Sequence, residues 1–379
     1  MSTGNYVGFH NEAHSIIAGY VGVDDAARKI VKAYVGVDGK ARLCWKGDSK
    51  AYLEFTSPSS FTISMSGGKK WDGTMEYDTG AGWTTWTGGS ITSGQTSSQY
   101  YIRLRGTANT VVSGLSGRLV ITGSNVECDG NVETLLDYFT VESGGHPTMG
   151  DYCFCTLFSM CSALISPPDL PSTQLAEGCY QNMFNQCSNL SRAPELPATG
   201  LFNTCYTNMF NGCTALTTAP ALPATTLAEH CYEGMFYGCT SLITAPTLPA
   251  TTLASLCYAN MFKDCTALTT APALPATTLA TYCYSYMFQN CTKLAGIPAL
   301  PATTLPMFCY RSMFDGCTAI KLSASRASVY TKAYRIPETG TGVAGTSALD
   351  AMFDNTGGTF TGTPSINTTY YLHVTISIV

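Results

Sequence analysis

Seventeen cysteines are the residues of this chain best equipped for chemistry, and their spacing decides which chemistry is open to them. Fourteen fall in two series with a 26-residue period: Cys153, Cys179, Cys205, Cys231, Cys257, Cys283 and Cys309, each followed eight residues later by Cys161, Cys187, Cys213, Cys239, Cys265, Cys291 and Cys317. Zinc needs close Cys/His pairs converging on one point, which C-x7-C with a single histidine in the array, His230, does not supply. A disulfide needs two Cβ atoms turned towards each other. In a stack of like units, equivalent side chains point the same way. The spacing therefore predicts columns of buried free thiols, a core ladder of Cys179, Cys187, Cys205, Cys213, Cys231, Cys239, Cys257, Cys265, Cys283, Cys291, Cys309 and Cys317. Such a ladder implies assembly in a reducing compartment and calls for no cofactor.

The remaining groups that could catalyse are His10, His14, His146, His230 and His373, with scattered carboxylates such as Asp72, Glu76 and Asp78. Glycoside hydrolysis needs two carboxylates across a cleft. Glu76 and Asp78 share one face of a predicted strand, but solvation of a Thr- and Gly-rich turn region accounts for them more simply. No nucleophile motif, phosphate-binding glycine loop or metal signature is present, so catalysis is not expected. Trp71, Trp83 and Trp86 could stack on a sugar, although a core role is favoured, with Trp83 facing inward. Hydrophobic residues make up 45% of the chain against 12% charged, which describes a folded protein. A net charge of −5 without a basic run gives no footprint for nucleic acid. No apolar run approaches the about 18 residues of a membrane span, and the first residues lack the pattern of a secretory signal.

Elements must position these columns. A fixed period of this length marks a stack of units, each too small to bury its own apolar face. In the copy Leu222 to Pro246, a helical wheel places Leu227, Cys231, Met235 and Cys239 within a third of a turn, widened by Tyr232 and Phe236. This predicts a short helix, with Thr226 as N-cap and Gly212, Gly238 and Gly316 as stops in their copies. Leu242 to Pro246 and its equivalents predict the strand of a parallel ladder, helices outside and strands on the concave side. Core positions barely change between copies, whereas outer positions do. The larger outer residues, Tyr237, Lys263, Tyr282, Tyr286, Phe308 and Arg311, are the candidate receptor contacts, because aromatic and Arg side chains dominate binding hot spots.

The flanks read differently. Tyr6-Val7-Gly8, Tyr20-Val21-Gly22 and Tyr34-Val35-Gly36 recur at 14-residue spacing, and YVGV-DG-KARLCW predicts a β-hairpin. Tandem hairpins over residues 1–47 would serve as an anchor or oligomerisation module. Residues 48–130 predict an antiparallel β-sandwich, Val132 to Thr140 a short helix, 131–322 the repeat array, and 323–379 an insertion, a degenerate repeat and a C-terminal β cap. The expected fold class is thus multi-domain α+β: N-terminal β-hairpin repeats, an antiparallel sandwich, then a leucine-rich-repeat α/β solenoid closed by a β cap.

The motif MF-x-x-C-T-x-L, as in Met235-Phe236 to Leu242 and Met261-Phe262 to Leu268, resembles the BspA-type class of leucine-rich repeats over about half the chain. The N-terminal repeats followed by a β-rich module resemble the front ends of tailed-bacteriophage virion proteins. These resemblances imply adhesion to proteins or glycans without a cofactor, and assign no contact residues of their own. The expected function is a non-enzymatic virion surface protein, a tail or head fibre or adhesin. It would dock on other virion proteins through residues 1–47 and attach to a host-surface protein or glycan through its repeats. It is expected to assemble in the bacterial cytoplasm as a homo-oligomer, with a trimer as one candidate state, and with no nucleic acid partner and no membrane insertion. The alternatives are a bacterial cell-surface adhesin and a structural decoration protein of the capsid or tail.

Overall fold

The computed structural model describes residues 50–379 throughout and, of the first 49, only the backbone of the strands Gly8–Phe9, Glu12–Ala13, Ile16–Ala18, Lys32–Val37 and Lys40–Lys46. The chain divides into two units, Met1–Lys50 and Ala51–Val379. In the first, Lys32–Val37 and Lys40–Lys46 pair antiparallel, with Val37 facing Lys40. Ile16–Ala18 adds to this pair. The side chains of the predicted anchor, the repeat copies at Tyr6 and Tyr20, and His10 and His14 lie outside the described residues.

The second unit begins with two sheets. One runs in the order Leu164–Ser166, Val126–Asp129, Leu53–Ser57, Tyr100–Thr107, Thr74–Asp78 and Thr84–Thr85; the other in the order Ile91–Thr92, Thr62–Met65, Leu119–Thr122. Alternation along the strands buries Leu53, Phe55, Ile102 and Leu104 from the first sheet and Ile63, Met65, Leu119 and Ile121 from the second in one core. Trp71 and Trp86 stack within it, whereas Trp83 is half-buried outside it against the Arg105 guanidinium, so the inward placement expected for Trp83 does not hold. Thr134–Glu142, the one α-helix among the described residues, packs on Tyr100–Thr107. Gly106 makes that approach possible: a Cβ there would sit 1.8 Å from the Leu135 carbonyl oxygen and 2.6 Å from Asn109 Nδ2. Gly106→Ala is expected to cost about 1–3 kcal/mol or more through overpacking, read as a fall in Tm. An unchanged Tm would refute this account of the contact.

From Tyr152 onward the expected α/β leucine-rich-repeat solenoid does not form. The segments read as helices are ribbons of consecutive turns. Between Thr204 and Cys213, the amides of Cys205, Thr207, Met209, Asn211 and Cys213 bond carbonyls three residues back, at 3.0–3.3 Å. The intervening amides of Thr204, Tyr206, Asn208, Phe210 and Gly212 bond the carbonyls of Glu229, Cys231, Glu233, Met235 and Tyr237 in the next rung, at 2.7–3.1 Å. Every fourth residue has left-handed backbone, as at Thr204 (φ 57°), Asn208 (53°) and Gly212 (73°), which no right-handed helix can contain. Spacing between rungs gives the physical reason. Stacked rings in successive rungs lie 5.4–5.9 Å apart, whereas packed helices need about 8–10 Å. A ribbon of turns is thin enough to repeat at that distance.

Thr226 and Leu242 to Pro246 change role accordingly. Instead of a helix cap and a strand, Thr218, Thr244, Thr270 and Gly296 make isolated parallel bridges, as do Thr226, Thr252 and Thr278. Pro246 and its equivalents lack the donor that would extend them into a sheet. Two continuous aromatic columns fill the interior. Phe154, Tyr180, Tyr206, Tyr232, Tyr258, Tyr284 and Tyr310 stack at 5.8–5.9 Å. Phe158, Phe184, Phe210, Phe236, Phe262, Phe288, Phe314 and Phe353 stack at 5.4–5.7 Å.

The ladder cysteines are buried and free. From Cys187 onward, thiols of the second series donate to the phenylalanine carbonyl of the preceding rung, for example Cys213 to Phe184, Cys239 to Phe210 and Cys265 to Phe236, at 3.0–3.1 Å. Residues 346–355 form an eighth ribbon, after an insertion that contributes Tyr330–Arg335. That strand and Leu322–Ser323 flank Thr369–His373 in a small antiparallel sheet at the end of the core.

Candidate functional site

The six outer residues singled out by their variability meet in one line along the stack. Lys263 Nζ lies 5.3 Å from the ring centroid of Tyr237 and 5.6 Å from that of Tyr286. The Arg311 guanidinium lies 5.8 Å from the Tyr286 ring and 5.2 Å from that of Phe308, which stacks on Tyr282 at 4.6 Å. All six are half-buried, and the line crosses four successive rungs. Cation–π contacts hold these side chains in place before any ligand arrives, reducing the entropy lost on binding.

Neighbouring polar groups are already satisfied. Asn290 donates to Asp264 at 2.7 Å, Gln289 to Asp315 at 2.7 Å and Asn355 to Asp315 at 2.8 Å. Partial burial, with the Asp264 charge and a hydrogen bond to it, raises the pKa of the Tyr237 phenol. Among the described residues, neither Lys263 nor Arg311 has a carboxylate within ion-pair distance. The line thus offers aromatic rings and two cations without an ion-pair partner among the described residues, a combination suited to a glycan or protein surface carrying acidic groups.

Sequence reasoning missed the backbone beneath the line. Tyr282 (φ 59°), Tyr286 (59°) and Phe308 (60°) all occupy the left-handed position of the ribbon. In the Tyr286 column the preceding rungs hold Gly234 and Asn260, which tolerate this conformation, whereas the column of Tyr282 and Phe308 also holds Thr204, His230 and Leu256. A bulky side chain there costs on the order of 1 kcal/mol. The signal was present in the sequence as Gly and Asn recurring every fourth residue, but a helical reading conceals it.

Of the residues weighed for catalysis, the described ones are engaged elsewhere. Glu76 pairs with Arg105 at 2.7 Å and Asp78 with Arg103 at 3.3 Å. Asp72 accepts from the Thr110 hydroxyl and the Thr110 and Val111 amides. Burial works to raise its pKa, but these bonds outweigh burial and hold the carboxyl below its ordinary value. His146 contacts the buried Glu133, His230 contacts Glu233, and His373 contacts Thr375. No three of these groups converge as a metal site among the described residues, and no helix there is long and apolar enough to cross a membrane. No family model, curated protein or solved structure matches the chain.

Proposed function

We propose that this chain is a non-enzymatic attachment protein of a bacteriophage particle. Residues 1–47 dock on other virion proteins, and the line from Tyr237 to Tyr282 contacts a host-surface protein or glycan. One observation carries the reading. Tyr286 stands at a left-handed position that holds Gly234 and Asn260 in the preceding rungs, and its ring is flanked by the Lys263 and Arg311 cations in one half-buried line with Phe308 and Tyr282. A bulky ring kept at that position, where core packing does not require it, supports selection for contact. The free thiol columns support assembly in a reducing cytoplasm before release in a particle. The copies would act together as a homo-oligomer on the virion surface.

Tyr286→Asn combined with Phe308→Asn separates this reading from a structural one. The substitutions are expected to leave the fold equally stable, or more stable by about 1 kcal/mol, because they relieve left-handed strain. Adherence of beads carrying the full chain to host cells should fall by about tenfold or more. Undiminished adherence would overturn the assignment of the line. Absence of the chain from purified particles would overturn the virion reading.

A further inference from the structure

The sandwich carries a second surface of rings and cations, and its charge balance differs from that of the stack. Alternation along Tyr100–Thr107 buries Ile102 and Leu104 in the core and turns Arg103 and Arg105 to the other face of the sheet. Strand register sets Arg103 opposite Glu54 and Asp78, and Arg105 opposite Glu76. The three carboxylates accept from the two guanidiniums at 2.9, 3.3 and 2.7 Å.

Rings line the same cations. The Arg103 guanidinium lies 4.7 Å from the Tyr101 ring centroid and 5.1 Å from that of Tyr52, which in turn lies 5.7 Å from Trp83. The Arg105 guanidinium lies over both Trp83, at 4.0 Å, and Tyr138, at 4.1 Å. Phe139 continues the line 4.0 Å beyond Tyr138 and is 57% exposed. Trp83, whose type suggested a sugar platform, thus stands on the outer face rather than in the core.

Uncommitted atoms decide what this face can take. Arg105 donates through Nε to Glu76 Oε2, so its two terminal nitrogens and Glu76 Oε1 have no hydrogen-bond partner among the described residues. The ion pair holds these donors and this acceptor side by side. An anion brought to the donors would meet the charges of Glu76, Glu54 and Asp78, and a cation brought to Glu76 would meet both guanidiniums. A neutral diol avoids both conflicts. One hydroxyl accepts from Arg105 while its neighbour donates to Glu76 Oε1, and the C–H face of the sugar bearing them matches an aromatic ring.

We propose that this outer face of the sandwich is a glycan-binding site, in which Arg105 and Glu76 clasp a vicinal diol of a neutral sugar while Trp83, Tyr138 and Phe139 pack against the saccharide chain. Ion pairing and ring contacts fix the clasp before the glycan arrives, which limits the entropy lost on binding. This inference stands apart from the attachment reading, since no residue of the stack takes part.

The test is retention of the full chain on immobilised neutral polysaccharides of glucose, galactose, mannose or N-acetylglucosamine units, with polygalacturonate as the acidic comparison. At least one neutral column is expected to retain it. Glu76→Ala and Phe139→Ala, each checked for an unchanged Tm, should each weaken that retention by about tenfold. Tyr286→Asn combined with Phe308→Asn should leave it unchanged, which separates this site from the line on the stack. No retention on any neutral column, retention on polygalacturonate alone, or retention undiminished in both Glu76→Ala and Phe139→Ala would each overturn the proposal.

Discussion

Between about pH 9.5 and 10.5 the stack is expected to unfold cooperatively, while its stability stays flat below about pH 8. Burial pushes the thiols of Cys161, Cys213, Cys231 and Cys283 up to about 12, against about 8.5 in an unfolded chain. A pKa raised by folding means the native state holds the proton longer. The contribution is complete below about 8.5, declines by about 1.4 kcal/mol per pH unit for each thiol above it, and is exhausted near 12. By pH 10 these four thiols alone remove on the order of 8 kcal/mol, comparable with the whole stability of an ordinary domain.

Other ladder thiols and the Tyr206, Tyr284 and Tyr310 phenols are raised by burial in the same direction. Geometry adds a local reason. Cys213 donates to the Phe184 carbonyl, and a thiolate there would face an oxygen instead. Circular dichroism followed against pH, in reductant, checks the expectation. A stack still native at pH 11 would contradict the burial of these thiols.

Phe236→Ala should be the most damaging single substitution in the middle of the array. Phe236 is fully buried and stacks on Phe210 at 5.7 Å and Phe262 at 5.6 Å, so truncation opens a cavity shared by two interfaces. A loss of about 3–5 kcal/mol follows from the cavity, and each ring pair adds about 0.5–1.5 kcal/mol. Because rungs contact only their neighbours, the defect should also divide urea unfolding into two transitions, one for each half of the stack. Phe202→Ala is the control: Phe202 is 53% exposed and should change stability by less than about 0.5 kcal/mol. A Phe236→Ala loss below about 1 kcal/mol with one sharp transition would refute the columnar core.

The period and the inward residues were legible in the sequence because a stack repeats them. Cys231, Tyr232, Met235, Phe236 and Cys239 recur in type, and all are at most 1% exposed. The outer candidates could be picked out for the opposite reason, since Tyr237, Lys263, Gln289 and Asp315 differ at one position of the repeat. Secondary structure was not legible. Residues four apart lie on one side of a helix and also on one side of a ribbon that turns every four residues. Over the short span from Leu227 to Cys239 the two periods differ too little to separate. Glycine at 212, 238 and 316 suits a helix stop and a ribbon turn equally well. Bonds between rungs leave no trace in local pattern, and they decide the outcome. Nor could spacing alone show that Lys263 and Arg311 flank the same tyrosine ring, because that depends on the distance between rungs.

Because all seven interfaces use the same five backbone bonds, any interior rung can follow any other. Duplication or excision of one 26-residue block would move the outer line along the axis by one rung, whose rings lie 5.4–5.9 Å from those of the next, without disturbing either end. Copy number alone would thus set the length of the stack, independently of the residues on its outer line.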